Sequence, residues 1–358
     1  MLQARPPHQP SHGRGPLLNL VSPPKIVGTA ANIDYADEGY GRYDPSALTD
    51  PWIQGVVIQM AWRFVETRRG VYDWAPLDQE AAAWSGAGKR VVLAVDLSND
   101  TGGGCFSGRT ALPAWEIARI PTYCDPDMNL VMPDWFNPTF QSDAKAFIAA
   151  LGKHVQAQPY YDAISYVRIS VGLGGTAFPV TPDGGGGMIG SPQRDYRTDK
   201  TWIENHWGYT PQKWEAFQET MLAAYNADFP APVQVIYTVV RQDINPATGN
   251  PVELDVAKWA GPRHIGIGNE NMPAGGFGGG QGYADLNTIA AWMHQHYPGN
   301  YIQVQSVNNM DASQVAQSVS TAERLGIDSI EWYQVEAVNR NFRTAMYGYQ
   351  AWANQRRS

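Results

Sequence analysis

The chain has 358 residues, of which 43% are hydrophobic and 17% charged, and its formal net charge is −8 at pH 7. This is the composition of a globular protein with a large core, and the acidic balance argues against a nucleic-acid partner, whose binding surfaces concentrate Lys and Arg. No apolar run approaches the length of a membrane span, so the sequence predicts no membrane segment.

The first 24 residues have the composition of a disordered leader. The opening stretch MLQARPPHQPSHGRGP is rich in Pro, His and Gly and contains no apolar segment of the kind a signal peptide carries. We expect 1–24 to be a leader, a linker or a remnant of processing or cloning, and 25–358 to form one domain.

After about residue 25, strand-like and helix-like runs alternate along the chain. Strands are predicted over 25–33, 52–62, 90–97, 162–172, 232–240, 263–270, 301–307 and 327–333. Helices are predicted over 76–89, 138–156, 211–228, 252–260, 283–297, 312–325 and 341–355, and long loops over the segments containing TGGGC, DGGGG and WIENHWGY. Eight strands alternating with helices predict an α/β fold, a (β/α)8 TIM barrel in a single domain. A doubly wound open sheet is the alternative, but its glycine-rich phosphate turn is missing after the first strand.

Each predicted strand has one face of Val, Ile or Leu and a second face that is small or polar. In a barrel the apolar face packs against the helices, so the polar side chains belong to the lumen, and those at the carboxyl ends reach the mouth. The predicted lumenal residues are Gln59, Ala94, Asp96, Arg168, Ser170, Gln234, Gly268, Glu270, Gln303, Gln305, Glu331 and Tyr333. A single bulge would reverse the assignment of one residue.

Three stretches resemble clan-A glycoside hydrolases. Residues 62–95, beginning WRFVETRRGVYDW, resemble the segment in which a tryptophan and a glutamate precede a G-x-Y-D-W turn. This stretch is most similar to β-galactosidase-like enzymes of the family-42 type. DWFNPTF (134–140) resembles the start of their next helix, and YVRISVGLGGTAFP (166–179) resembles their fourth strand. The likeness is patchy over about 25–335 and implies a glycosidase barrel.

The same resemblance implies where the catalytic groups should lie. In that clan the acid/base is a glutamate at the end of strand four, and the nucleophile is a glutamate at the end of strand seven. The matching positions here hold Thr176 and Gln305, which are not carboxylates. A threonine hydroxyl cannot act as the usual general acid, because its pKa lies far above working pH.

Hydrolysis of a glycosidic bond needs two carboxyl groups, one to protonate the leaving oxygen and one to attack carbon or activate water. The carboxylates near the predicted mouth are Asp34, Asp96, Glu270, Glu331 and Glu336. We predict Glu270 and Glu331 as the catalytic pair. The alternative is that Glu270 fixes the following loop and that Glu331 is a structural glutamate satisfied inside the barrel.

The predicted substrate-binding residues are aromatic rings that can stack on sugars and polar groups at strand ends. They are Trp62, Asp96, Thr176, Trp207, Asn269, Gln305 and Tyr333. The alternative for each tryptophan is a packed loop core. The histidines form no metal-binding spacing, and no metal or cofactor is expected.

The sequence therefore predicts a glycoside hydrolase acting on a poly- or oligosaccharide. The alternatives are a non-hydrolytic carbohydrate-binding barrel and a hydrolase carrying introduced inactivating changes. Cys105 and Cys124 are either a disulfide or two unrelated thiols, and a disulfide would indicate an oxidising compartment. We expect a secreted or cell-surface protein, and the oligomeric state is not predicted.

Overall fold

The computed structural model describes residues 29–34, 46–97, 110–125, 130–169, 196–239, 242–272, 286–306 and 310–356. Eight parallel strands close into a barrel: β1 (Thr29–Asp34), β2 (Gly55–Ala61), β3 (Arg90–Asp96), β4 (Ile164–Arg168), β5 (Gln234–Thr238), β6 (Gly266–Met272), β7 (Ile302–Ser306) and β8 (Ser329–Tyr333). Each strand pairs with its neighbours in the sequence, and β8 pairs with β1 to complete the circle. The predicted (β/α)8 TIM barrel is confirmed, and the open-sheet alternative is excluded.

The helices lie between the strands. They are α1 (Ala75–Gly86), α2 (Pro138–Gln156), α3 (Tyr196–Trp207), α4 (Pro211–Asp228), α5 (Val252–Ala260), α6 (Leu286–His296), α7 (Ala312–Leu325) and α8 (Arg343–Arg356). Shorter helical turns span Ser46–Thr49, Trp62–Val65, Ala114–Ile117, Tyr161–Ala163, Gly261–Arg263 and Gln334–Ala337.

Side-chain caps fix where several helices begin. Asn137 and Thr210 each accept a backbone N–H from the first turn of α2 and α4, and each is followed by a proline that suits the first helical position. At α7, Asp311 and Gln314 form a reciprocal capping box. These signals explain why the predicted starts of all three helices fall within one residue of the observed ones.

Two features of the loops were not predicted. A hairpin of Thr122–Asp125 and Leu130–Pro133 lies in the segment predicted as a long loop between β3 and α2. The segment around WIENHWGY, also predicted as a loop, is helix α3. That prediction was wrong because the segment between Tyr196 and Trp207 contains no Gly or Pro to interrupt a helix.

The core has two parts that the barrel wall separates. The larger part lies between the strands and the helices and takes the outward side chains, such as Val56 and Ile58 of β2 or Ile330 and Trp332 of β8. The smaller part fills the lumen with Val57, Val92, Ala94, Tyr166, Ile236 and Tyr301. The predicted alternation of faces is therefore confirmed for these strands.

Polar side chains occupy the lumen nearer the carboxyl ends of the strands. Asp96, Arg168, Thr238, Gln303, Gln305 and Glu331 are all buried there. Gly268 on β6 makes room for this layer, because a Cβ at this position would overlap the side-chain oxygen of Gln303. The lumen therefore has an apolar lower layer and a polar upper layer, and the polar layer is the one nearer the mouth.

Candidate functional site

Glu331 lies at the centre of the polar layer of the lumen. It is the third residue of β8 and is 0% exposed. The hydroxyl of Tyr166 donates a hydrogen bond of 2.8 Å to Glu331 Oε1, and Nη1 of Arg168 lies 3.3 Å from Oε2. Both partners come from β4, which is four strands away from β8 in either direction around the closed sheet. Glu331 is therefore held from across the lumen.

Burial determines the protonation of this carboxyl group. The pKa of Glu331 is raised above its usual value because the lumen excludes water, while Arg168 and the Tyr166 hydrogen bond act in the opposite direction. A glutamate with a raised pKa keeps its proton to higher pH than an exposed one. That property suits a proton donor in acid–base chemistry.

A second chain of contacts runs from Arg168 to the rim of β8. Nη1 of Arg168 donates to Oε1 of Gln305 at 3.0 Å, and Nε2 of Gln305 donates to the hydroxyl of Tyr333 at 3.2 Å. Arginine has only donors, so it fixes the orientation of the Gln305 amide. The Tyr333 oxygen accepts the hydrogen bond from Gln305, so the proton of the Tyr333 hydroxyl points away from Gln305. Gln305 and Tyr333, both predicted binding residues, are thus brought together with Glu331.

Asp96 lies at the carboxyl end of β3, as predicted, and is buried. Its Oδ2 accepts a hydrogen bond of 2.9 Å from Nε2 of Gln59 on the adjacent β2. In the ladder between β1 and β2, Asp34 is the register partner of Gln59. Asp96 is therefore held at the mouth by a neighbouring amide.

The backbone of Glu270 lies in β6, within an irregularity of the β6–β7 ladder. Asn269 pairs with Val304, but the next pair is Met272 with Ser306, so β6 has one extra residue here. The alternation rule that predicted a lumenal Glu270 does not extend through such a bulge. Thr176, the other predicted site residue of special interest, lies outside the described residues.

Asn269 has a different environment from the one predicted. It is buried, and its Nδ2 donates a hydrogen bond of 2.7 Å to the carbonyl oxygen of Val239, just beyond β5. It alternates with the lumenal Gly268, so it faces away from the lumen. We therefore assign Asn269 to holding the ends of β5 and β6 together rather than to binding sugar.

Two predicted stacking tryptophans are packed against other aromatic rings. Trp62 is 0% exposed, lies against Trp115, Phe140 and Phe147, and donates to Glu66 Oε2 at 2.7 Å. A ring without exposed surface cannot stack on a sugar, so Trp62 is corrected to a core residue.

Trp207 belongs to an aromatic cluster near the mouth. It makes edge contacts with Tyr123, Trp135 and Trp202 and is also buried. Trp202 stacks on both Tyr123 and His206, at centroid distances of 4.3 Å and 4.1 Å. The alternative of a packed loop core fits Trp207 better than sugar stacking does.

The remaining findings concern Glu336, metal sites and membrane-spanning helices. Glu336, one of the carboxylates near the predicted mouth, is buried after β8. Within the described ranges, no group of three or more His, Cys, Asp or Glu side chains could hold a metal ion. In the same ranges, no helix is long and apolar enough to cross a membrane.

Sequence reasoning missed the importance of two β4 residues. The sequence places Arg168 in the lumen without indicating a role for it, and Tyr166 is not among the predicted lumenal residues. The period of two in β4 could have identified Tyr166, because it lies two residues before Arg168 and must share its face.

Comparison with known proteins gives a fold-level result. No protein-family model and no curated protein matches the sequence. The structure is similar to the catalytic domain of β-amylase from Paenibacillus polymyxa, with a TM-score of 0.64 and 12% identity over 92% of this chain and 98% of that one. The two structures share the (β/α)8 barrel fold.

Two larger glycosidases share this barrel. Exo-β-1,4-mannosidase Op5Man5 from Opitutaceae bacterium strain TAV5 matches with a TM-score of 0.54 and 12% identity, over 93% of this chain and 60% of that one. β-Galactosidase from the psychrophilic Marinomonas ef1 matches with a TM-score of 0.53 and 10% identity, over 90% of this chain and 59% of that one. The chain thus spans about three fifths of each of these two enzymes. At such identities the likeness shows the fold alone, and the resemblance to family 42 stays a prediction.

Proposed function

We propose that the protein is a glycoside hydrolase acting on a poly- or oligosaccharide, with Glu331 as proton donor and Glu270 as the second carboxylate. The observation that carries the proposal is the setting of Glu331, a buried carboxyl in a glycosidase-type barrel whose pKa burial raises. A glycosidase needs an acid that keeps its proton near neutral pH, and burial is one way to obtain it.

Glu270 is proposed as the partner because of where its backbone lies. It belongs to β6, and Glu331 belongs to β8, with β7 between them. Two strand spacings of about 4.8 Å each separate their backbones by about 10 Å. Two carboxyl groups on such strands can approach a glycosidic bond from different sides.

Arg168, Tyr166 and Gln305 are proposed as positioning residues. Arg168 and Tyr166 hold the two oxygens of Glu331, and Arg168 also orients the Gln305 amide. Because that amide donates to Tyr333, the Tyr333 hydroxyl is the group proposed to meet substrate hydroxyls, together with Asp96.

A non-hydrolytic carbohydrate-binding barrel is the second candidate. One observation favours it: Gln305, at the position where the resemblance implies a nucleophile, is an amide held between Arg168 and Tyr333. Such a site can bind sugar hydroxyls without cleaving a bond. An assay of sugar release separates the two candidates.

The test is an assay of released sugar from a panel of aryl glycosides and polysaccharides. The wild type is compared with Glu331→Gln, Glu270→Gln and the control Glu323→Gln, which lies on α7. The proposal would be supported if the wild type has glycosidase activity that falls at least about 100-fold in Glu331→Gln and Glu270→Gln but not in Glu323→Gln. Wild-type binding without turnover would favour the second candidate, and equal activity in all four proteins would refute the site.

A location outside the cytosol is also proposed. Cys124 is disulfide-bonded, and the only other cysteine in the chain is Cys105, which lies outside the described residues. Disulfides persist in oxidising compartments. Mass mapping of the protein purified under non-reducing conditions from its native host would test this proposal, and free thiols at both positions would contradict it.

A further inference from the structure

A group of five charged side chains lies at the rim of the barrel, outside the lumen. Glu66 and Arg69 belong to the hairpin that follows β2, Glu116 and Arg119 to the segment between β3 and α2, and Asp143 to the beginning of α2. We call these five residues the rim cluster. None of them takes part in the site described above.

Asp143 joins the three segments of the rim. Nη2 of Arg69 lies 2.7 Å from its Oδ1, and Nη1 of Arg119 lies 2.6 Å from its Oδ2. Asp143 is itself buried, so both guanidinium groups contact a carboxylate that is largely removed from water. Both oxygens of Asp143 are thus engaged by guanidinium donors, and charge-assisted contacts of this kind are strong.

Glu66 has its own set of donors. Its Oε2 accepts from Nε1 of Trp62 at 2.7 Å, and its Oε1 accepts from the backbone N–H of Gly70 at 2.6 Å. Both oxygens are therefore occupied by N–H groups of the hairpin segment. Burial raises the pKa of Glu66, and these two hydrogen bonds oppose that rise.

Glu116 is the exception in the rim cluster. It is 0% exposed, and in the part of the chain that the structure describes neither of its oxygens receives a hydrogen bond from an N–H or O–H donor. Its close polar neighbour is the carboxyl group of Asp143. Two adjacent buried carboxyl groups do not both ionise, because each charge raises the pKa of the other group.

The charge balance of the cluster leads to the same conclusion. Two guanidinium groups face three carboxyl groups, so the cluster is neutral only when one carboxyl group keeps its proton. Among the described residues, N–H donors contact both oxygens of Asp143 and of Glu66, whereas none contacts Glu116. Glu116 is therefore the group that carries the proton.

We propose that Glu116 is a neutral acid that donates its proton in a hydrogen bond to Asp143, and that this shared proton fastens the rim segments to α2. Loss of the proton would leave Glu116 and Asp143 as two adjacent carboxylates. The segment Ala114–Ile117 and the hairpin at Glu66–Arg68 would then separate from α2. This proposal does not depend on the proposed glycosidase activity.

The direction of the pH dependence follows from burial and from the groups around Glu116. Burial first, and Asp143 second, raise the pKa of Glu116 to about 8, while Arg119 and Arg69 oppose the rise. Glu66 and Tyr72 also lie in this region, and burial raises the pKa of each. The folded pKa lies above the unfolded value of 4.5. The stabilisation is thus complete below that value and is lost as the pH rises toward about 8.

Glu116→Gln is the decisive variant, because its amide can still donate to Asp143 but cannot lose a proton. Thermal unfolding is followed for the wild type, Glu116→Gln and the control Glu323→Gln between about pH 5.5 and pH 8.5. We expect the wild-type Tm to fall by on the order of 5 °C more than that of Glu116→Gln over this range. The control should follow the wild type. Parallel curves for wild type and Glu116→Gln would overturn the proposal.

Hydrogen–deuterium exchange of the wild type and of Asp143→Asn gives a second readout. After correction for the intrinsic rate, peptides covering 66–72 and 114–120 should lose protection between pH 6 and pH 9, while peptides from β7 and β8 keep theirs. Asp143→Asn should show weaker protection at both pH values, because it removes the carboxylate that pairs with Arg69 and Arg119. Unchanged protection of the rim peptides at pH 9 would show that no such fastening exists.

Discussion

Arg168 and Glu331 contact each other across the lumen at 3.3 Å, although their strands lie on opposite sides of the closed sheet. Both side chains are almost completely buried. This contact and the Tyr166–Glu331 hydrogen bond join β4 to β8, and the Arg168–Gln305 hydrogen bond extends the network to β7. The polar side chains of β4, β7 and β8 are therefore connected to one another, and each contact can be tested by its own substitution.

Removing Glu331 should destabilise the protein more than removing Arg168. Arginine stays charged at any working pH, so Glu331→Met leaves a buried guanidinium without the carboxyl oxygens that it contacts, at a cost of roughly 3–5 kcal/mol. In Arg168→Met the buried carboxyl group can stay neutral by keeping its proton, and we expect a cost about 1–2 kcal/mol smaller. Urea unfolding at pH 7 measures both free energies of unfolding.

Two further proteins control this comparison. Arg340→Met removes an exposed arginine and should change the free energy of unfolding by less than about 0.5 kcal/mol. The double variant Arg168→Met/Glu331→Met should be less destabilised than the sum of the single variants. If Arg168→Met costs as much as Glu331→Met, the charged contact does not have the role assigned to it.

Tyr166→Phe should raise the pKa of Glu331 further. In the wild type, the phenol hydrogen bond of Tyr166 stabilises the ionised form of Glu331, and the variant loses this bond. A bond worth about 1 kcal/mol corresponds to roughly 0.7 pKa units. An acid with a higher pKa keeps its proton longer, so the alkaline limb of the activity profile should move to higher pH. The pH dependence of kcat/KM measures the shift, and carbon-13 NMR of the Glu331 carboxyl reports it independently of activity. An unchanged or lowered value would contradict the assignment.

Gly268→Ala should destabilise the barrel by roughly 1–3 kcal/mol. A Cβ here would overlap Gln303 Oε1 and lie 2.9 Å from Ile236 Cγ2, inside a lumen already filled by side chains. Gly348→Ala is the matched control, since Gly348 lies in α8 with no atom within 4 Å of a new Cβ. That change should be neutral or stabilising by up to about 1 kcal/mol. Equal effects of the two changes in denaturant unfolding would show that the lumen is not tightly packed.

Trp62→Leu should lower stability without changing substrate affinity. The change removes the contacts with Phe140 and Phe147 and the hydrogen bond to Glu66, at a cost of about 2–4 kcal/mol. KM for a cleaved glycan should stay within about twofold of the wild type, measured at a temperature where both proteins are folded. A large rise in KM at unchanged stability would restore Trp62 to the sugar-binding surface.

The error at Trp62 shows where alternation stops being informative. The period of two in β2 ends at Ala61, and Trp62 begins a helical turn that directs its ring toward α2. A position at a strand end therefore does not by itself place a side chain in the mouth. In the same way, the bulge between Asn269 and Met272 interrupts the pattern at Glu270.

The barrel and the lumenal faces could be predicted because they depend on local patterns. Gln59, Arg168, Gln305 and Glu331 follow directly from the period of two in their strands. The contact between Arg168 and Glu331 could not be predicted, because the residues are far apart in the sequence and meet only once the barrel has closed. The charge cluster around Asp143 depends likewise on how two loops pack against α2.

The role of Glu331 as proton donor is tested most directly by how the activity of Glu331→Gln depends on the leaving group of the substrate. A general acid matters most when the departing oxygen is basic and least when the leaving group is already a weak base. We expect kcat/KM of Glu331→Gln to fall by at least about 100-fold for alkyl glycosides and much less for dinitrophenyl glycosides. The same loss on both substrates, or no loss on either, would contradict Glu331 as the proton donor.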